Sequence, residues 1–329
     1  MKYFETTFED YTQICEKTNL HPDLQSQMIP ERNLILYGPS GVGKYSQMLL
    51  FMKRESPSDL KYYKHITANT EKQNYTYNIS DIHYEVDMEQ LGCHAKLLFH
   101  EIFFQITEII MTKPDKKGYI VCKNFHHIHS ELLEIFYSYV QHHAHILSNI
   151  NLYFILITEN ISFLHNNIIN NFHKIGIKRP DKSCYNSILN AEHTGKVFNR
   201  FFQSLEMKYI TNIKEIKSLK RNNMEPNEEI FDAINNEIID KMKSNASLSE
   251  LRETIYNILV FHLDPIECVY NVLEHFIHLN KLKSENINNI MIHLYKDLLY
   301  FNNNYRPIYH LENMFLFILH EIYESKKGI

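Results

Sequence analysis

Three of the chain's eight glycines fall within six positions, in the stretch Gly38-Pro39-Ser40-Gly41-Val42-Gly43-Lys44. The spacing fits G-x-x-x-x-G-K. Residues 34–37 before it form an apolar run expected to be a buried strand, and residues 45–53 after it read as a helix. Strand, glycine turn and helix in that order make a phosphate cradle. The glycines let backbone N–H groups turn inward, the helix presents its positive end, and Lys44 reaches the β and γ oxygens of a nucleotide. A glycine-rich turn that binds nothing is the plainer alternative, and the strand–turn–helix context weighs against it.

One residue departs from the pattern. A Ser or Thr is expected after the lysine, where its hydroxyl ligates Mg²⁺, and here Tyr45 stands there, too bulky to sit against a compact octahedral ion. Ser46 follows, rotated by about 100° on a helix and so turned away from the metal position. The site is expected to bind ATP or ADP, with Mg²⁺ weakly required or not required.

A length of 329 residues suggests about two domains, and 44% hydrophobic with 22% charged residues is ordinary for a globular protein. The net charge of −5 means that contact with nucleic acid needs a local basic face. Five scattered cysteines without a C-x-x-C pair suit neither a disulfide framework nor a zinc module, so a reducing compartment is expected. No targeting or membrane segment is visible, and no membrane partner is expected. Abundant Asn, Ile, Lys and Tyr with few Gly and no Trp look like the product of an AT-rich genome.

Beyond the first helix, residues 62–67 and 75–79 alternate like paired strands around a polar turn at 70–73, and residues 82–87 read as another strand. Residues 97–111 make a long apolar helix, 119–122 a short β run, 130–143 a helix with Ser130 as its cap, and 152–158 a buried strand. This alternation predicts a parallel sheet covered on both faces, with ligand at the carboxyl ends of its strands. From about residue 177 the strand signal stops. Helices are expected over 183–189, 196–206 and 228–242, and then in the C-terminal ninety residues, where Asp264 caps a helix that begins at Pro265. The final helix, from 307 to 324, is apolar nearly all round, which predicts that part of this C-terminal domain is an oligomer interface.

Three stretches carry a resemblance to a family. They are Asn33-Leu34-Ile35-Leu36-Tyr37 running into the glycine loop, Tyr84-Glu85-Val86-Asp87 with Gly92 after it, and the pair Leu251-Arg252-Glu253-Thr254-Ile255-Tyr256 and Tyr309-His310-Leu311-Glu312. Together they resemble a small subunit of the eukaryotic sliding-clamp loader, replication factor C, a member of the AAA+ ATPases. The similarity is greatest to the subunit at the end of the arc, whose own ATP site is degenerate. The resemblance implies an α/β AAA+ P-loop domain over 1–176, a small helical lid over 177–242 and an all-α collar over 243–329. It also implies a hetero-pentamer with other clamp-loader subunits, a sliding clamp as partner, primer-template DNA held by backbone contacts, and a nuclear or, if viral, cytoplasmic replication site.

Carried over residue by residue, the family's catalytic positions are changed. The acidic pair after strand 119–122 falls at Lys123 and Asn124, with His126 where a later Asp stands. Without a carboxylate there is neither an anchor for Mg²⁺ nor a base to orient water, so no catalytic residue is assigned and hydrolysis is expected to be lost. Lys123 is a candidate to place its ammonium where the cation would sit. The polar sensor falls at Glu159 or Asn160, the arginine that enters a neighbour's site is replaced near Asn171, and the second sensor arginine aligns with Lys214, which keeps charge without the bidentate fork.

Other signals point elsewhere. His126, His127 and His129, and His142, His143 and His145, lack acidic or cysteine partners at ligand spacing, so no metal site is expected. Basic candidates for the DNA backbone are Lys113, Lys116 and Lys117, then Lys174, Lys178 and Arg179, then Lys214, Lys217, Lys220 and Arg221. An active P-loop enzyme, such as a nucleotide kinase or a DNA-dependent ATPase, and a nucleotide-free scaffold remain the alternatives.

Overall fold

The fold is taken from a computed structural model of the chain, which describes residues 7–18, 21–69, 74–145, 150–180, 230–244, 247–261, 263–301 and 306–327. The chain divides into two compact units, Met1–Asn223 and Met224–Ile329.

In the first unit, helices α1 (Phe8–Thr18) and α2 (Leu24–Gln27) precede β1 (Leu34–Tyr37), the glycine loop and α3 (Lys44–Glu55). Then come β2 (Lys64–Asn69), β3 (Asn74–Ile79), β4 (His83–Asp87), α4 (Ala95–Thr112), β5 (Lys117–Lys123), α5 (Ser130–His145), β6 (Asn151–Thr158), α6 (Asn166–Asn171) and β7 (His173–Gly176). The seven-stranded sheet has the order β2-β3-β4-β5-β6-β1-β7. Strands β4, β5, β6, β1 and β7 are parallel, while β2–β3 and β3–β4 pair antiparallel. The parallel sheet expected from alternation is thus present in these five strands, and the strand pair expected around the polar turn adds an antiparallel edge, where short connections leave no room for a crossover helix. Strand β7 was hidden by its four-residue length and its polar start, His173-Lys174.

Alternation along each strand divides the core into two layers. Ile35, Tyr84, Val86, Ile120, Cys122, Phe154 and Leu156 pack toward α4, α5 and α6. Their neighbours Leu34, Leu36, Tyr119, Val121, Ile155 and Ile157 pack toward α1 and α3. Both faces are covered, which is why the central strands read as continuous apolar runs. The chain leaves β1, builds the sheet out on one side, and returns to place β7 on the other side of β1. That reversal makes the end of β1 the place where a ligand crevice opens.

The second unit contains α7 (Ile230–Ser244), α8 (Leu248–Val260), α9 (Pro265–His278), α10 (Ser284–Phe301) and α11 (Pro307–Lys327). Asp264 accepts from the N–H groups of Ile266 and Glu267 above Pro265, as its sequence position predicts. A capping box between Ser247 and Glu250 starts α8 at Leu248. Helix α7 falls within the range expected for the lid, and its Ile234, Ile238, Ile239 and Met242 lie in one core with α8, α9, α10 and α11. The expected lid helices over 183–189 and 196–206, and Lys214 with its basic neighbours, lie outside the described residues. The two C-terminal stretches of the resemblance meet through Arg252, whose Nε and Nη2 donate to the two carboxylate oxygens of Glu312.

Helix α11 is not left waiting for a partner. Leu311, Met314, Phe315, Ile318 and Ile322 are buried in this core, and Ile308, Leu316, Phe317 and Leu319 are half-covered by it. Its all-round apolarity reflects neighbours within the chain on several sides. Most exposed large apolar side chains of this unit lie on α8, α9 and α10, among them Tyr256, Val260, Tyr270, Met291, Ile292 and Tyr295, with Ile230 on α7 and Tyr309 on α11. Among the described residues no helix is long and apolar enough to cross a membrane.

These assignments make a prediction for the C-terminal unit. Phe315→Ala should destabilise it by about 3–5 kcal/mol, whereas Tyr295→Ala should stay within about 0.5 kcal/mol in chemical denaturation. A comparable loss from both would contradict the burial described.

Candidate functional site

The glycine loop leaves β1 at Gly38, whose φ is +152°. A Cβ at Gly38 would lie 2.1 Å from the Ile177 carbonyl oxygen, so the close approach of the strand after β7 demands glycine there. Gly41 (φ +67°) and Gly43 (φ +93°) are left-handed, and Gly43 is the N-cap of α3. Val42 is fully buried, and Pro39, Ser40 and Ser46 are half-buried. Lys44, 9% exposed, donates from Nζ to the carbonyl oxygens of Gly38 and Pro39, both at 2.6 Å. Its ammonium therefore sits across the loop at the end of β1, where an anion would meet it.

Next to the lysine, Tyr45 is tied into the sheet. Its hydroxyl donates to Glu85 Oε1 at 2.7 Å, and its ring lies 5.3 Å below the ammonium of Lys123. Lys123 Nζ is 3.3 Å from Glu85 Oε2, which also accepts from Asn78 Nδ2 at 3.2 Å. His83 Nε2 stands 3.4 Å from Glu85 Oε1, and Ser80 Oγ is 2.6 Å from His83 Nδ1. Strand geometry explains the gathering. Tyr84 and Val86 face α4, so His83 and Glu85 face α3. Ile120 and Cys122 likewise face away, so Lys123 at the end of β5 falls on the Glu85 side.

Glu85 is buried, which by itself would push its carboxyl up. The hydrogen bond and charge of His83, the ammonium of Lys123 and the hydroxyl of Tyr45 outweigh that and hold it at about 2, against an ordinary 4.5. Burial, followed by the Glu85 charge and hydrogen bond, pushes the Tyr45 phenol far up, so it stays a donor. A carboxylate anchored by so many donors can remain ionised within a core.

The remaining family positions are dispersed. Asn124, in a left-handed conformation, donates from Nδ2 to both oxygens of Asp87 at 3.1 and 3.2 Å. His126 is held down to about 3, first by burial and then by the charges of His127 and Lys44, so its ring is neutral. Its Nε2 is 3.6 Å from Glu159 Oε2, and with the ring neutral that contact is dipolar and not an ion pair. At the end of β6, the Asn160 carbonyl accepts from Thr158 Oγ1 at 2.7 Å. Asn171 lies exposed on α6 and donates to Tyr137 Oη and the Asn167 carbonyl. Among the basic candidates, Lys113 donates to the Asp81 carbonyl and Lys117 pairs with Glu55 and Glu31, so both serve the fold. Lys174, Lys178 and Arg179 are exposed.

These residues do not fit a divalent cation. The phenol after the lysine donates its hydrogen bond to Glu85, a cation stands at the end of β5 where a carboxylate would anchor the metal, and the next carboxamide is spent on Asp87. Sequence reasoning found Tyr45 and Lys123 but gave no role to Glu85 or His83. The available signal was His83-x-Glu85-x-Asp87, three polar residues on one face of a strand whose other positions are apolar.

No protein-family model matches the chain, and no curated protein sequence matches it. Among solved structures, a variant of RuvB from Thermotoga maritima is similar over 77% of this chain and 85% of that one, with 10% identity and a TM-score of 0.38.

The buried carboxylate predicts a pH effect. Because its folded value lies below the ordinary one, it stabilises fully above pH about 4.5, and the contribution fades as pH falls toward about 2. The stability difference between wild type and Glu85→Gln, followed by urea denaturation, should shrink by a few kcal/mol over that interval. A difference independent of pH would mean that the group is not an ionised carboxylate at neutral pH.

Proposed function

We propose that this chain is a nucleotide-binding subunit that does not hydrolyse its nucleotide and works within a sliding-clamp loader of the replication factor C kind. The observation that carries the reading is the Tyr45–Glu85–Lys123 cluster beside an otherwise complete glycine loop. The loop, the lysine and the end of β1 at a point of strand reversal supply what phosphate binding needs. The cluster removes what phosphoryl transfer needs, which is a metal held at the phosphates and a base for water.

In this reading ATP or ADP is a structural ligand whose charge is met by Lys44, the loop N–H groups and the nearby Lys123, so Mg²⁺ adds little. The resemblance in three stretches of sequence supports membership of a pentameric AAA+ assembly. The exposed apolar side chains on α8, α9 and α10 suit contact with sister subunits. Lys174, Lys178 and Arg179 suit the phosphate backbone of primer-template DNA. Hydrolysis in the assembly then falls to the partner subunits, and the work of this chain is to bind them, the clamp and DNA.

A second reading, a scaffold that has lost nucleotide altogether, is favoured by the bonds of Lys44 to the Gly38 and Pro39 carbonyls, which satisfy the ammonium without a ligand.

Titration of the purified chain with ATP and ADP separates these readings. Micromolar binding undiminished by a chelator, weakened about 10- to 100-fold by Lys44→Ala and accompanied by no turnover, is the expected result. Strict Mg²⁺ dependence with turnover in the ordinary range of about 1–10³ s⁻¹ would establish an active NTPase. No binding, and no rise in melting temperature with any nucleotide, would establish the scaffold.

A further inference from the structure

We propose that His21 is a positioning residue for phosphate binding, acting through the peptide unit between Val42 and Gly43; this rests on the reading of the glycine loop as a nucleotide site. His21 Nε2 lies 2.9 Å from the Val42 carbonyl oxygen. A carbonyl only accepts, so the ring nitrogen facing it carries the proton. The peptide is planar and trans, so its carbonyl and the following N–H point in opposite directions. Turning the Val42 oxygen toward His21 therefore turns the Gly43 N–H to the other side of the loop. That N–H belongs to the N-cap of α3, immediately before Lys44, and is among the groups a phosphate would meet first.

The loop does not fix this orientation by itself. Gly41 and Gly43 flank Val42, both in left-handed conformations, and glycines rotate a peptide unit at little steric cost. Two anchors hold it. The Val42 side chain is fully buried among Leu34, Met48 and Met52, and the Val42 carbonyl is held by His21.

The imidazole is delivered by a segment that is itself fastened to α3. Leu24 and Met28 are buried in the same core. Gln25 donates from Nε2 to the carbonyl and the side-chain oxygen of Gln47, at 3.0 and 2.9 Å, and Arg54 donates to the Gln25 carbonyl. His21 thus reaches the loop from a firm base, and its donor decides which way the peptide faces.

The test compares His21→Phe, which keeps ring bulk and loses the donor, with His21→Gln, which restores an N–H donor. Gln25→Ala is a comparison that loosens the same segment while leaving the His21 donor in place. Full-length protein is titrated with ADP in the presence of a chelator, and hydrogen exchange of residues 38–44 is followed without nucleotide. Expected is an affinity about three- to tenfold weaker in His21→Phe, the worth of one hydrogen bond, with faster exchange in the loop. His21→Gln should recover most of both, and Gln25→Ala, which keeps the donor, should lower the melting temperature and weaken ADP binding less than His21→Phe does. Equal affinity in wild type and His21→Phe would overturn the proposal and leave the nucleotide reading intact. Failure of wild type to bind ADP would overturn both. If His21→Phe does not fold, His21→Leu takes its place with the same outcomes.

Discussion

A carboxylate buried between a strand and the start of a helix is the constraint on which this structure turns. Glu85 is ionised where no water can solvate it, so it must collect donors, and it collects Tyr45, Lys123, His83 and Asn78. Two of these occupy positions that would otherwise handle a metal ion. Replacing any one donor leaves the others facing an under-compensated charge. Tyr45 and Lys123 therefore belong to one arrangement around Glu85.

From that arrangement the division of labour in the site follows. In the proposed reading phosphate recognition depends on backbone N–H groups, a helix terminus and Lys44, and shares with Glu85 only the ammonium of Lys123. Chemistry at the γ position depends on a cation and a base in the region the cluster has taken over. A site can therefore lose turnover while retaining affinity, because the two functions use different atoms of the same loop and strand ends. In an assembly whose other members carry the chemistry, a nucleotide that stays in place would act as part of the fold.

Much of this was legible from the sequence, for stated reasons. The glycine loop announces itself because left-handed backbone at Gly41 and Gly43 and close approach at Gly38 leave few alternatives. The central strands are visible because burial on both faces makes them uniformly apolar, and the second helical unit because its apolar spacing repeats at three and four residues. Strand β7 escaped notice because pairing with β1, and not its own composition, makes it a strand. Apolarity on several sides of the final helix says only that something covers each side. Here that cover is α8, α9 and α10 of the same chain. Glu85 escaped because an acidic residue in a buried strand acquires meaning only once its neighbours across α3 and β5 are known.

The most direct test of the central claim is to locate the metal and not to time a reaction. Crystals grown with ADP and manganese, measured at the manganese absorption edge, would show both nucleotide and any cation beside it. The account predicts diphosphate cradled by the glycine loop, Tyr45 still bonded to Glu85, and no anomalous peak between the phosphates and Lys123. A manganese ion bound there at full occupancy, with Tyr45 swung away from Glu85, would contradict it.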